Sequence, residues 1–211
     1  MRSVTDKNEI IRNIEALVRE RLKDAEGGHD WQHIHRVRNL ALHIAESEGA
    51  DLFVVELAAL LHDIADSKFH SGDEEIGVIT AEKIMDGFLI PPGIKEEVLK
   101  IIKNISFRSE IGGKVYDSPE LCAVQDADRL DAMGAIGIAR AFNYGGSKGR
   151  EIYNPEIPPK ELNSTDDYKS RISPTINHFY EKLLLLKDMM KTREGKRLAK
   201  ERHEFLELYL Y

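Results

Sequence analysis

The stretch Leu57–His70, LAALLHDIADSKFH, decides how the chain is read. It opens on a run of Leu and Ala and then meets His62, Asp63 and Asp66. Packing alone does not explain an apolar helix that ends on an imidazole and two carboxylates, because burying such groups without partners costs several kcal/mol. A metal ion would supply the partner. Asp51 is placed to cap this helix, which the apolar spacing predicts from Asp51 to about Ala65. His62 continues the face of Val55 and Ala59, Asp63 lies beside it, and Asp66 follows one turn later.

The helix before it, HDWQHIHRVRNLALHIAESEG, spans His29 to Gly49 and holds four histidines. Helical periodicity sorts them. His33 shares a face with Val37, Leu40 and Ile44 and so points inward. His35 falls with Arg38, Leu42 and Glu46 on a wetter face, and His43 sits beside Asn39 and Ser47. His29 stands at the helix entrance, where it caps the helix or supports the site. Later in the chain, LCAVQDADRLDAMGAIGIARAF puts Asp128 on one stripe with Leu121, Val124, Ala132 and Ala135, with Asp131 on the adjoining strip. Buried-face carboxylates on an Ala-rich helix need a cation or hydrogen-bond donors. His33, His62, Asp63 and Asp128 therefore fall on inward stripes of separate helices. Mixed imidazole and carboxylate ligation suits Mn, Fe, Co, Ni or Zn, and a carboxylate-rich site with open positions also accepts Mg.

Helical period runs through most of the remaining chain, with no convincing strand alternation, so the predicted class is all-α. Further helices are expected at Asp6 to Lys23, Glu74 to Phe88, Ile94 to Asn104, Pro119 to Phe142, Ser173 to Met190 and Glu194 to Leu210. The pattern fails between Asn143 and Ile172, a stretch rich in Gly, Pro and polar residues that reads either as a lid or as disorder. No linker divides the 211 residues, and one domain is expected. The metal core lies at about 27–142, the loop at 143–172 and the last helices at 173–211.

A net charge of −7 speaks against general binding to a nucleic-acid backbone. The single cysteine, Cys122, excludes an internal disulfide and a cysteine-rich zinc site. The N-terminus has no apolar core of a signal peptide, and no apolar run approaches the roughly 20 residues of a membrane span. The expectation is a soluble, cytoplasmic protein without a membrane partner. The apolar stripe of the last helix packs internally or in a homodimer.

His33, the adjacent pair His62-Asp63 and the distant Asp128 resemble the H…HD…D signature of the HD superfamily of metal-dependent phosphohydrolases, which are helical proteins. The segments GHDWQHIHRV, LLHDIADSKFH, DADRLDAMGAIGIARAF and NHFYEKLLLLKDMMKTREGKRLAKERHEF are similar to those of small stand-alone bacterial HD hydrolases. Some of these are nucleoside triphosphate pyrophosphohydrolases. The likeness covers nearly the whole chain from about Gly27. It implies an HD-domain helical fold in which His33, His62, Asp63 and Asp128 bind one divalent metal, with Mn or Mg favoured. His70 alone stands between the HD pair and Asp128, which favours one ion over two.

The expected activity is hydrolysis of a small phosphorylated substrate, with a (deoxy)nucleoside triphosphate cleaved to monophosphate and pyrophosphate as the specific expectation. A nucleotidase and a nucleotide-sensing module without turnover are the alternatives. Asp66 is placed to take a proton from the attacking water, or else to hold the end of its helix. Asp131 supports the ligands. Lys68, Arg129, Arg140 and Lys148 are candidate phosphate cations, with Arg150 nearby in the loop. His178 and Lys182, four apart on one helix face, suit a phosphate clamp. Tyr144 could stack on a base, as could Tyr153.

Overall fold

The computed structural model describes residues 6–23, 25, 30–64, 75–105, 116–160 and 173–211. Among these residues every regular element is helical, so the fold is all-α. The α-helices are α1 (Lys7–Arg21), α2 (Trp31–Glu48), α3 (Leu52–Leu61), α4 (Glu75–Asp86), α5 (Pro92–Asn104), α6 (Pro119–Asp131), α7 (Gly134–Ser147), α8 (Asn177–Glu181) and α9 (Arg193–Leu210). A 3-10 helix at Leu183–Met189 separates the last two. No helix among the described residues is long and apolar enough to cross a membrane. The chain divides into two compact units, residues 1–127 and 128–211.

The amino-terminal unit is built around α3. Leu57 to Leu61 are fully buried, as expected for an apolar run that covers every side of its helix. It packs against α1, α2 and α5, and α4 packs on α5. The inward stripe of α1 is Ile10, Ile14 and Val18, and that of α2 is Ile34, Val37, Ala41 and Ile44. Aspartates start these helices by accepting amide protons that the first turn leaves over. Asp30 accepts from His33 N at 2.9 Å, and Asp51 accepts from Phe53 N at 2.9 Å and Val54 N at 3.3 Å. Gly49 ends α2 at φ 72°, a left-handed cap. Arg38 ties three helices together. Its Nε donates to Glu56 on α3 at 2.9 Å and its Nη1 to Glu15 on α1 at 3.1 Å. On α6, the Gln125 amide donates to the carbonyls of Asn104 and Ile105 at 3.3 Å each, satisfying the end of α5.

In the carboxy-terminal unit, α9 packs on α7 and on the 3-10 helix, which also carries α8. Phe179, Phe142 and Tyr209 form an aromatic cluster with ring centroids 5.6–6.0 Å apart. Residues 150–160, outside any helix, are attached to the start of α8. Thr175 N donates to Glu151 O at 2.8 Å, Ile176 N to Ile152 O at 3.0 Å, and the Asn177 amide to Ile157 O at 2.7 Å.

Three helices differ from their expected bounds. The third stops at Leu61, and His62 to Ile64 form a turn. The helix expected over Pro119 to Phe142 is two helices, because Met133 is extended at φ −118°, ψ 163° and Gly134 is left-handed at φ 67°. Continuing past Phe142, α7 takes in Gly145 and Gly146 and ends at Ser147. The helix expected over Ser173 to Met190 breaks at Lys182, whose φ of −145° is not helical, and resumes as a 3-10 helix. The rest of the loop, 161–172, lies outside the described residues.

Candidate metal centre

Asp30 caps α2 on the amide of His33, which fixes this residue in the first turn of the helix. The His33 side chain is fully buried, His35 is half-buried with Nε2 3.2 Å from Asn39 Nδ2, and His43 is exposed. His62 follows the last residue of α3, and its Nδ1 lies 2.8 Å from the carbonyl oxygen of Ala59. A carbonyl only accepts, so Nδ1 carries the proton and Nε2 presents its lone pair. Ligating histidines are commonly oriented in this way, by a carbonyl on the other ring nitrogen.

The rings of His33 and His62 meet edge to face with centroids 5.5 Å apart. Oδ2 of Asp63 lies 3.5 Å from His33 Nε2 and 3.9 Å from His62 Nε2. From Ala127, α6 continues without a break into Asp128. One ligand atom from each of His33, His62 and Asp128 lies within 4.8 Å of the others. Two ligands each about 2.1 Å from one ion stand at most about 4.2 Å apart. The Asp63 separations meet that limit as they stand. The bound on the other three requires side chains to close by about half an ångström at most. His33, His62 and Asp128 thus offer two imidazole nitrogens and a carboxylate, with the Asp63 carboxylate beside the two imidazoles, a mixed nitrogen and oxygen set that fits a divalent ion of the first transition row.

The remaining candidates are distributed as follows. Asp131 is buried and paired with Arg140, whose Nη1 lies 2.7 Å from Oδ2 and 3.1 Å from the Asp131 carbonyl oxygen. Arg129 is buried and donates to Met189 O at 2.6 Å. Both guanidinium groups therefore hold protein oxygens, a role that charge and spacing in sequence do not reveal. Tyr144 is exposed and flanked by two cations, with Lys148 Nζ 5.6 Å and Arg150 Cζ 5.4 Å from its ring centroid. His178 is close to Lys182 and Arg150, and burial together with these two charges pushes its pKa down to about 3. It is therefore a neutral imidazole across the ordinary pH range. His29, Asp66 and Lys68 lie outside the described residues.

Residues 30–133 match the HD domain family. The chain is 42% identical over 200 residues to YpgQ of Bacillus subtilis, covering 92% of this chain and 86% of that protein. A crystal structure of YpgQ in complex with ADP superposes with a TM-score of 0.74 at 39% identity, over 95% of this chain and 93% of the other. An HD-superfamily hydrolase from Bacillus thuringiensis matches with a TM-score of 0.75 at 41% identity, over 97% and 94% of the two chains. A protein from Lactobacillus plantarum matches with a TM-score of 0.82 at 34% identity, over 98% and 95%. The helical architecture, the buried histidines beside the His62-Asp63 pair and these relatives agree: the chain belongs to the HD domain family and is an HD-superfamily hydrolase.

Proposed function

We propose that this hydrolase is a divalent-metal-dependent pyrophosphohydrolase that splits a (deoxy)nucleoside triphosphate into monophosphate and pyrophosphate. The observation that carries the metal dependence is the Asp63 carboxylate within 3.9 Å of both His33 Nε2 and His62 Nε2. His33, His62, Asp63 and Asp128 hold one ion, Mn or Mg by preference. Such an ion acidifies water and offsets the charge of a phosphoryl group. The chain's own groups do the rest. His62, locked by the Ala59 carbonyl, keeps its Nε2 lone pair turned to the ion. Asp66 accepts the proton of the attacking water on its carboxylate.

Two features support a nucleotide. YpgQ, the Bacillus subtilis relative, was crystallised with ADP. Around Tyr144, Lys148 and Arg150, with Lys182 beside the neutral His178, the chain combines an exposed aromatic face with positive charge. Lys148 and Lys182 bind phosphate oxygens, His178 contributes a hydrogen bond without charge, and Tyr144 stacks on the base.

The test strips the protein of metal, restores Mn, Mg, Co, Ni or Zn singly, and assays nucleoside mono- and triphosphates with pyrophosphate and phosphate resolved. Metal-dependent pyrophosphate release, absent from Asp63→Ala, is the expected result. Phosphate from monophosphates would replace this reading with a nucleotidase. Nucleotide binding without any product would replace it with a sensor.

A further inference from the structure

The last turn of α6 carries Asp128 and closes at Asp131, and arginines from two other helices of the carboxy-terminal unit meet it. Arg140, on α7, binds both the carboxylate and the main-chain oxygen of Asp131, at 2.7 and 3.1 Å. Arg202, on α9, donates through Nη1 to the carbonyl of Leu130. A helix ends with carbonyls that have no partner in the helix and with partial negative charge, and these two guanidinium groups answer both. The arrangement is sterically fixed as well. A Cβ at Gly134 would stand 3.3 Å from Arg202 Cγ and 3.4 Å from its Cβ, so the side chain lies directly over the turn that follows α6. Asp131 adds a further attraction, since its charge favours the Arg202 cation against the cost of burial.

Asp128 and Asp131 are three residues apart and share one helix face. A carboxylate on the face of a ligand is a rival for the ion unless something occupies it, and Arg140 occupies Asp131. We propose that Arg140 and Arg202 are positioning residues for the metal centre: they fix the last turn of α6 so that Asp128 meets the ion and Asp131 does not. The proposal rests on the reading of Asp128 as a ligand.

The test is Mn2+ binding to the full chain, followed by the electron paramagnetic resonance of free Mn2+, together with the visible absorption of the Co2+-loaded protein. Wild type is compared with Arg140→Gln, Arg140→Lys, Arg202→Met, Asp128→Asn and the Arg140→Gln/Asp128→Asn pair. Loss of a partner that orients a ligand costs about 10–100-fold in metal affinity. Arg140→Gln and Arg202→Met are each expected to weaken Mn2+ by that factor, and Arg140→Gln to change the Co2+ spectrum as Asp131 becomes available. Arg140→Lys, which keeps the charge, recovers part of the affinity. In the Asp128→Asn background, Arg140→Gln adds no further loss. Arg140 is partly exposed, with 21% of its side chain accessible, so its variants carry the test if Arg202→Met does not fold. Arginine variants that bind Mn2+ within twofold of wild type, with an unchanged Co2+ spectrum, while Asp128→Asn is weak, overturn the positioning role alone. An Asp128→Asn protein that binds like wild type removes Asp128 as a ligand, and this role with it.

Discussion

Gly137 and Gly146 both lie on α7, yet alanine is expected to act in opposite directions at the two positions. A Cβ built at Gly137 falls inside 3.0 Å of the carbonyl carbon and oxygen of Ala132, in the turn that leaves α6. Those atoms are backbone and cannot rotate aside, so the turn itself must move. Overpacking of this kind costs about 1–3 kcal/mol, and the helix preference for alanine over glycine returns only about 0.5–1 kcal/mol. A net loss of roughly 1 kcal/mol lowers the melting temperature by about 2–4 °C in a chain of this size. At Gly146 nothing lies within 4 Å of the added atom. Only the helix preference is felt there, and Gly146→Ala is expected to raise the melting temperature by about 1–4 °C. Differential scanning calorimetry of the metal-free proteins measures both. If Gly137→Ala melts within 1 °C of Gly146→Ala, as an order of magnitude for experimental error, the close approach of α7 to Ala132 is wrong.

Adding the ion back to the stripped protein at about 100 times its dissociation constant is expected to stabilise it by about 2.7 kcal/mol, seen as a rise in melting temperature that Asp63→Ala removes; an equal rise in the variant would count against the site. His178 is neutral in the folded protein with a pKa near 3, against an ordinary value of 6.5, so the unfolded chain binds more protons between these pH values and stability falls as pH drops through that window. His178→Gln is accordingly expected to flatten the acid limb of the stability curve, whereas an imidazole seen by NMR to titrate near its ordinary value would sink the assignment. Asp51→Ala removes a cap that holds Phe53 N and Val54 N, and is expected to cost about 0.5–2 kcal/mol, read in urea unfolding as a lower midpoint with an unchanged slope.

The amino-terminal helices were legible because they obey one rule each. In α2 the spacing that places His33 with Val37, Leu40 and Ile44 describes residues that are fully buried except for the half-buried Leu40. In α3 the apolar run Leu57–Leu61, broken from Leu52–Val55 by Glu56 alone, reads as a buried helix. The breaks were not legible, since they depend on single backbone torsions. Ala132, Met133 and Gly134 sit in an Ala-rich stretch that reads as continuous helix, and the extended Met133 with the left-handed Gly134 turns it. Lys182 breaks the late helix with no proline or glycine to announce it. Residues 150–160 are attached by main-chain hydrogen bonds to Thr175 and Ile176, which no side-chain pattern encodes. In the candidate site, spacing puts His33, His62 and Asp128 on inward faces, and one ligand atom of each lies within 4.8 Å of the others, because burial and periodicity are linked. Charge cannot separate an arginine bound for solvent from one bound for a carbonyl, and in sequence Arg202 is one charge among the many of α9.

The stop of α3 at Leu61, one residue before His62, has a consequence for how this chain can change over generations. The residues that specify the central helix and the residues that carry the chemistry are neighbours in sequence but occupy separate structural roles. Leu57 to Leu61 can drift among apolar side chains of similar volume under selection for packing alone. His62 and Asp63, in the turn beyond, answer, under the proposed function, to the ion. A descendant that lost them would keep its architecture and fall silent as a hydrolase, open to a new use of the same helical frame.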